Sequence, residues 1–339
     1  METEIEKKRS VCENVISFEF VKVVLKGAGQ VMFQNSAITG LLFFAGIFWG
    51  AYEEGQGVVA WGALVGVVVS TLTGYLLGLP CKDGSEGLWG FNGILVGCAM
   101  LTFLGNTVFT WLALIFCSAM TTWMRTGFNN ALGKFKVNSF TFPFVFTTWL
   151  FVLASRAMQA MPPEFMSTPE LPAIQFSSDI NMGFGDLVVY WLKGISQVFL
   201  INSWVTGALF LIGLFLCNKW AAIWAGASSA IALFIILVFK GPGTDISNGL
   251  YGFSAVLTGI ALGMVFYKVN WRSAIWAVIG VVATVFIQAA MNIFFTPLGL
   301  PTFTAPFCLA TWLFFLPLFK FDVKSEELED HSTWHGKKN

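Results

Sequence analysis

Eight stretches of this chain carry no lysine, arginine, aspartate or glutamate: 27–51, 57–79, 87–124, 140–155, 197–217, 220–239, 246–267 and 273–319. Apolar runs of about 20 residues are long enough to cross a bilayer core of about 30 Å. In such a core the backbone must satisfy its own polar groups, which leaves helices or closed barrels. A barrel would show short segments of alternating polarity, and none is visible. Charged residues make up 11% of the 339 positions, against about 25% in a soluble domain. The chain therefore reads as an all-α integral membrane protein with a lipid bilayer as its surroundings.

The net charge is zero, so no nucleic-acid or polyanion partner is implied. Cys12, Cys81, Cys98, Cys117, Cys217 and Cys308 are scattered, with no spacing that would hold zinc, and read as packing residues. His331 and His335 stand four residues apart, a spacing that would put two metal ligands on one helical face, but in a charged tail a solvated role fits better. No nucleophile–base pair or phosphate loop is visible. The sequence thus implies no metal, no cofactor and no enzyme. Residues 1–26 carry five glutamates and no continuous apolar core, so they read as a cytoplasmic helix, not a cleaved signal.

The apolar pattern predicts about ten spans, at 36–51, 57–79, 87–104, 106–124, 140–157, 203–217, 219–239, 249–267, 271–290 and 302–319. Two shorter pieces, 27–35 and 194–202, precede the first and sixth, and each is expected to be re-entrant. With both termini in the cytoplasm, sixteen of the nineteen basic residues fall inside, and only Arg156, Lys193 and Lys240 fall outside, as the positive-inside rule requires.

The chain also matches itself. An offset of 167 lays Lys26–Val31 on Lys193–Val198 and Asn35-Ser36 on Asn202-Ser203. An offset of 162 lays Gly87-Leu88-Trp89-Gly90-Phe91 on Gly249-Leu250-Tyr251-Gly252-Phe253. An offset of 163 lays Phe140–Phe144 on Phe303–Phe307. Five spans per unit put the second unit into the membrane from the opposite side, which predicts two inverted five-helix repeats with a site at their interface. The expected division is a cytoplasmic segment 1–26, a first repeat 27–160, an external linker 161–192, a second repeat 193–320 and a cytoplasmic tail 321–339.

The repeated polar residues carry the functional reading. Gln30 and Gln197 place amides in short apolar pieces, where an unpaired amide costs several kcal/mol; they face a pathway or bond a neighbouring helix. Phe91 with Leu95, and Phe253 with Leu257, lie four residues apart on one helical face, and describe either a flat slot or ordinary packing. Thr141 and Thr304 each precede a proline by two residues. The proline is expected to kink its span, and the hydroxyl meets a solute or bonds back to its own helix. No Asp, Glu, Lys, Arg or His falls in the middle of any expected span, unlike most ion-coupled carriers. Amides, hydroxyls and aromatic faces suit a small, neutral, planar solute.

These residues resemble the urea transporter family, in particular GxxQVxFxN at Gly27–Asn35 with its partner at Gly194–Asn202, the glycine-rich run Gly87–Gly97 with its partner Gly249–Gly259, and the Phe-Thr-x-Pro-Phe pair. The resemblance covers about residues 20–320 and is closest to bacterial-type members. It implies passive, channel-like passage of urea and a homotrimer in the inner membrane with one pore per protomer. It also implies a filter in which Gln30 and Gln197 supply amides and Phe33 and Val198 supply apolar wall. Phe91, Leu95, Phe253 and Leu257 would form the slot, and Thr141 and Thr304 would add hydroxyls near its middle. Leu200 stands where the first copy has Phe33, and Ser254-Ala255 where it has Asn92-Gly93, so the slot need not be symmetric. The alternatives are a channel for water, ammonia, formamide or acetamide, or an ion-coupled secondary transporter.

Overall fold

The computed structural model describes residues 18–173 and 180–317. The start of the expected cytoplasmic helix, part of the linker, and the tail with His331 and His335 lie outside the described residues. Among those described, the chain is helical and forms no strand beyond one isolated bridge between Leu104 and Pro163.

The first half runs α1 (Phe18–Gln30), α2 (Ala37–Glu53), α3 (Gly57–Leu76), the short α4 (Cys81–Ser85), α5 (Phe91–Phe103), α6 (Val108–Leu132) and α7 (Phe142–Ser155). The second half runs α8 (Phe184–Ser196), α9 (Trp204–Cys217), α10 (Lys219–Val238), α11 (Gly243–Ser247), α12 (Gly252–Ile260), α13 (Trp271–Phe295) and α14 (Ala305–Phe315). Long and short helices follow each other in the same order in both. Some helix starts are fixed by a side chain that accepts one of the first free N–H groups. Ser36, Thr107, Ser203 and Asn270 do this for α2, α6, α9 and α13.

Four helices are long and apolar enough to cross a membrane: α3, α6, α10 and α13, the second and fourth together with the 3₁₀ turns that follow them. At 1.5 Å per residue the 25 residues of α6 span about 38 Å, whereas the 13 of α5 span about 20 Å. Five of the expected spans are thus represented by shorter apolar helices. The outer face of α6 presents Val108, Phe109, Leu112, Ile115 and Phe116 to the surroundings. That spacing of three and four residues makes one apolar stripe, the surface of a membrane protein.

Three expectations change in detail. The pieces 27–35 and 194–202 are not separate short helices. They are the ends of the 13-residue α1 and α8, followed by a tight turn; α8 with its last turn is bent by 73° from α9. Pro143 and Pro306 do not kink a span, because each sits in the first turn of its helix, where a missing N–H costs nothing. Arg125, expected in a loop, lies inside α6, buried and paired with Asp83 at 3.0 Å.

The halves hold each other by matched bonds. The Thr39 hydroxyl donates to the Gly213 carbonyl at 2.9 Å, and the Thr206 hydroxyl to the Gly46 carbonyl at 2.7 Å. The Trp149 indole N–H donates to the Pro301 carbonyl at 2.9 Å, and that of Trp312 to the Asn138 carbonyl at 2.8 Å. In each pair, one bond becomes the other when both residues are moved by the repeat offset. Phe43, Phe199 and Phe210 fill the α2–α9 contact, with ring centroids 4.7–5.6 Å apart. Within the first half, Gly62 and Gly66 of α3 lie directly against Gly97 and Gly93 of α5, the small-residue contact that lets membrane helices approach closely.

Candidate functional site

Gln30 is the last residue of α1. The chain then reverses through Phe33, whose φ of 61° is left-handed. Leu200 repeats this at φ 58° after the turn Gln197–Phe199. The Gln30 Nε2 donates to the Glu86 carbonyl at 2.9 Å, and the Gln197 Nε2 to the Asn248 carbonyl at 3.0 Å. Each amide is therefore fixed on one side by the chain that leaves α4 or α11. A glycine crossing brings them there. Gly87 and Gly249 have φ 80° and 69°, and a Cβ on either would strike the backbone of Gly27 or Gly194. Only glycine permits both the conformation and the approach.

Phe91 opens α5 and Phe253 lies in the first turn of α12, with Leu95 and Leu257 one turn on. All four are buried. Thr141 and Thr304 stand at the N-caps of α7 and α14, yet neither side chain caps its own helix. Their hydroxyl oxygens instead lie 2.6 Å apart, and Thr141 Oγ1 is 3.4 Å from Cys308 Sγ. The preceding residues, Phe140 and Phe303, have left-handed φ of 49° and 48°, a strained conformation for a bulky side chain.

A cavity of about 730 Å³ opens on the second-half side and is lined by Gln197, Val198, Phe253 and Thr304. Gln30, Phe33, Phe91, Leu95, Thr141 and Leu257 do not line it. Phe33 belongs to a separate cluster of rings, 6.1 Å from Phe266 and 6.1 Å from Phe307, with Phe140 5.6 Å and 5.4 Å from the same two. At the matching places on the cavity side stand Leu200, Phe103, Phe144 and Phe303. Asn92 does not face the cavity; its Oδ1 accepts from the Phe144 backbone N–H at 3.1 Å.

The cavity wall also carries Glu54, Glu170, Asp245 and Gln288. Burial pushes Glu54 above the usual carboxylate range, opposed by an Asn202 backbone hydrogen bond and by Lys193. Burial alone pushes Asp245 up. Composition, spacing and motif do not single out Asp245, Gln288 or the Asp83–Arg125 pair. The signal was present, since the repeat offsets lay Asp83 on Asp245 and Arg125 on Gln288.

The arrangement offers amides, hydroxyls and aromatic faces and no reacting pair. No group of three or more metal-binding side chains occurs among the described residues. A family model described as urea transporter matches residues 21–318. Urea transporter 1 of Ovis aries is similar to the chain, 29% identical over 312 residues that cover 88% of this chain and 77% of that protein. Urea transporter 1 of Rattus norvegicus is 29% identical over 309 residues, covering 89% and 78%. For Urea transporter 1 of Mus musculus the identity is 28% over 309 residues, with the same coverage.

Proposed function

The chain belongs to the urea transporter family, and from that premise we propose that it carries urea passively through a neutral pore between two inverted repeats. One observation carries the reading: Thr141 and Thr304, matched residues of the two halves, meet hydroxyl to hydroxyl at 2.6 Å. The reciprocal Thr39–Gly213 and Thr206–Gly46 bonds support a twofold relation between the halves. In this reading urea enters through the cavity and slides between Phe253/Leu257 and Phe91/Leu95. There it exchanges its N–H groups among Gln197, the threonine hydroxyls and Gln30. Urea at the middle replaces the Thr141–Thr304 bond, which limits the net cost of leaving water. Phe33 and Val198 complete the apolar wall.

The same reading makes each short helix pair a partial crossing within ten spans, puts both termini in the cytoplasm of a cell with this protein in its inner membrane, and assembles three chains with a pore in each. Arg125, the charged residue inside α6, already bonds Asp83 and so offers no coupling site.

The test is urea flux by stopped flow in proteoliposomes of the full chain. Flux that persists when ionophores collapse sodium and proton gradients supports the channel; flux abolished by them refutes it in favour of an ion-coupled carrier. Competition by thiourea or dimethylurea separates urea from water, ammonia or formamide as the solute.

A further inference from the structure

The halves differ in charge at a place where their backbones agree. Asp83 in α4 and Asp245 in α11 correspond under the offset of 162, and each carbonyl accepts a backbone N–H, from Leu88 and Leu250 respectively, at 2.9 Å. Arg125 in α6 and Gln288 in α13 correspond under the offset of 163. In the first half the Arg125 guanidinium donates from Nη1 to Asp83 Oδ2 at 3.0 Å, with both side chains nearly excluded from water. The second half has the carboxylate without the guanidinium. Asp245 makes no ion pair among the described residues. Gln288 is 2% exposed. Its Nε2 donates to the Leu250 carbonyl, while its Oε1 has no hydrogen-bond partner. Both side chains lie on the wall of the 730 Å³ cavity.

We propose that Asp245 and Gln288 form a binding site for a small guanidinium cation, held in the second half as Arg125 is held in the first. A guanidinium ion presents planar N–H donors in a fork that matches a carboxylate. One edge meets Asp245, and a further N–H meets the unpartnered Gln288 Oε1, whose burial without a partner is otherwise costly. An ammonium or a potassium ion has the charge but not the fork. Glu54 and Glu170 on the same wall add a negative field that concentrates cations in the cavity. The positive charge bars the ion from the apolar slot beyond Phe253, so it rests at the mouth. That it then slows urea entry from this side rests on the channel reading; that it binds does not.

The experiment is equilibrium dialysis of radiolabelled guanidinium against the purified full chain in detergent, at constant ionic strength set with sodium chloride. The expected result is one saturable site per chain that equal tetramethylammonium does not displace. Asp245→Asn weakens it about tenfold or more, as loss of a charge-assisted bond should. Gln288→Arg abolishes it by supplying the protein's own guanidinium, and stands as the deciding variant if Asp245→Asn does not fold. Glu170→Gln, which removes part of the field but no direct contact, weakens it less than Asp245→Asn does. No saturable site in the unaltered protein, equal displacement by tetramethylammonium, or unchanged binding in Gln288→Arg overturns the proposal. Urea flux is measured on the same preparation, so that binding without flux counts against the channel reading alone.

Discussion

Thr141 and Thr304 are 163 positions apart in the chain and 2.6 Å apart in the fold, each 2% exposed. Replacing Thr141 takes away the Thr304 hydroxyl's partner, replacing Thr304 leaves Thr141 only the weak Cys308 thiol at 3.4 Å, and replacing both leaves two apolar groups in contact. Thr141→Val or Thr304→Val should therefore cost about 1–2 kcal/mol of stability, and the double variant less than the sum. Urea flux should fall about fivefold or more in each single variant, the equivalent of one hydrogen bond. Unchanged flux in both would move the solute path away from this contact; additive losses of stability would mean the bond is not the interaction removed.

Gln197→Leu removes the amide that the Asn248 carbonyl holds at 3.0 Å on the cavity wall. Flux should drop by a factor of about ten while the protein still purifies as a single species, since the lost bond is worth roughly 1 kcal/mol of folding. Gln30→Leu should behave likewise through Glu86. Full flux in Gln197→Leu would show that the amide serves only the turn.

Gly97→Ala is the packing test. A Cβ at Gly97 meets the Gly62 backbone, which cannot move aside as a flexible side chain would. The overpacking cost is about 1–3 kcal/mol or more, read as a lower thermal midpoint in detergent. Gly127→Ala, which meets nothing within 4 Å, is the control. Equal midpoints would mean that α3 and α5 separate without penalty.

Acid should stabilise the fold through Asp245 and Glu54. Burial raises both, so the ionised form is the one the fold disfavours. A group raised in this way binds more protons folded than unfolded, and stability falls as pH rises from its unfolded value toward its folded one. For Asp245 that window starts near 3.8. Asp245 acts on Tyr251 and shares the cavity wall with Glu54 and Glu170, while Lys193 draws on Glu54. Asp245→Asn should raise the thermal midpoint at neutral pH and flatten its decline between acid and neutral. A lower midpoint at neutral pH would show the carboxylate to be stabilised by a partner.

Much of the fold was legible because its signals are one-dimensional. Charge-free runs place the apolar helices, and the Gln, Thr and Gly matches pick out residues that the fold sets in like positions, such as Gln30 and Gln197. The partners of the two glutamines were not legible, because Glu86 and Asn248 receive them through backbone carbonyls, which any residue would supply. Arg125 was misplaced because a charge marks a segment's end in sequence, and only the fold shows Asp83 neutralising it inside α6. The prolines were misread for a related reason. Pro143 starts a helix and would kink one only if α7 began a turn earlier, a boundary that apolar residues on both sides conceal.

The short helices bear on how the chain is made. α5, α7 and α14 have 13, 14 and 11 residues, below the roughly 20 that insert as independent segments. An insertion machinery that sorts segments one by one, as they emerge from the ribosome, has no reason to release these into lipid alone. They must be admitted with a longer neighbour, α5 riding on α3 through its glycine contact. A substitution such as Gly97→Ala would then weaken the entry of α5 as well as the finished packing, read as a lower yield of inserted protein beside the lower midpoint.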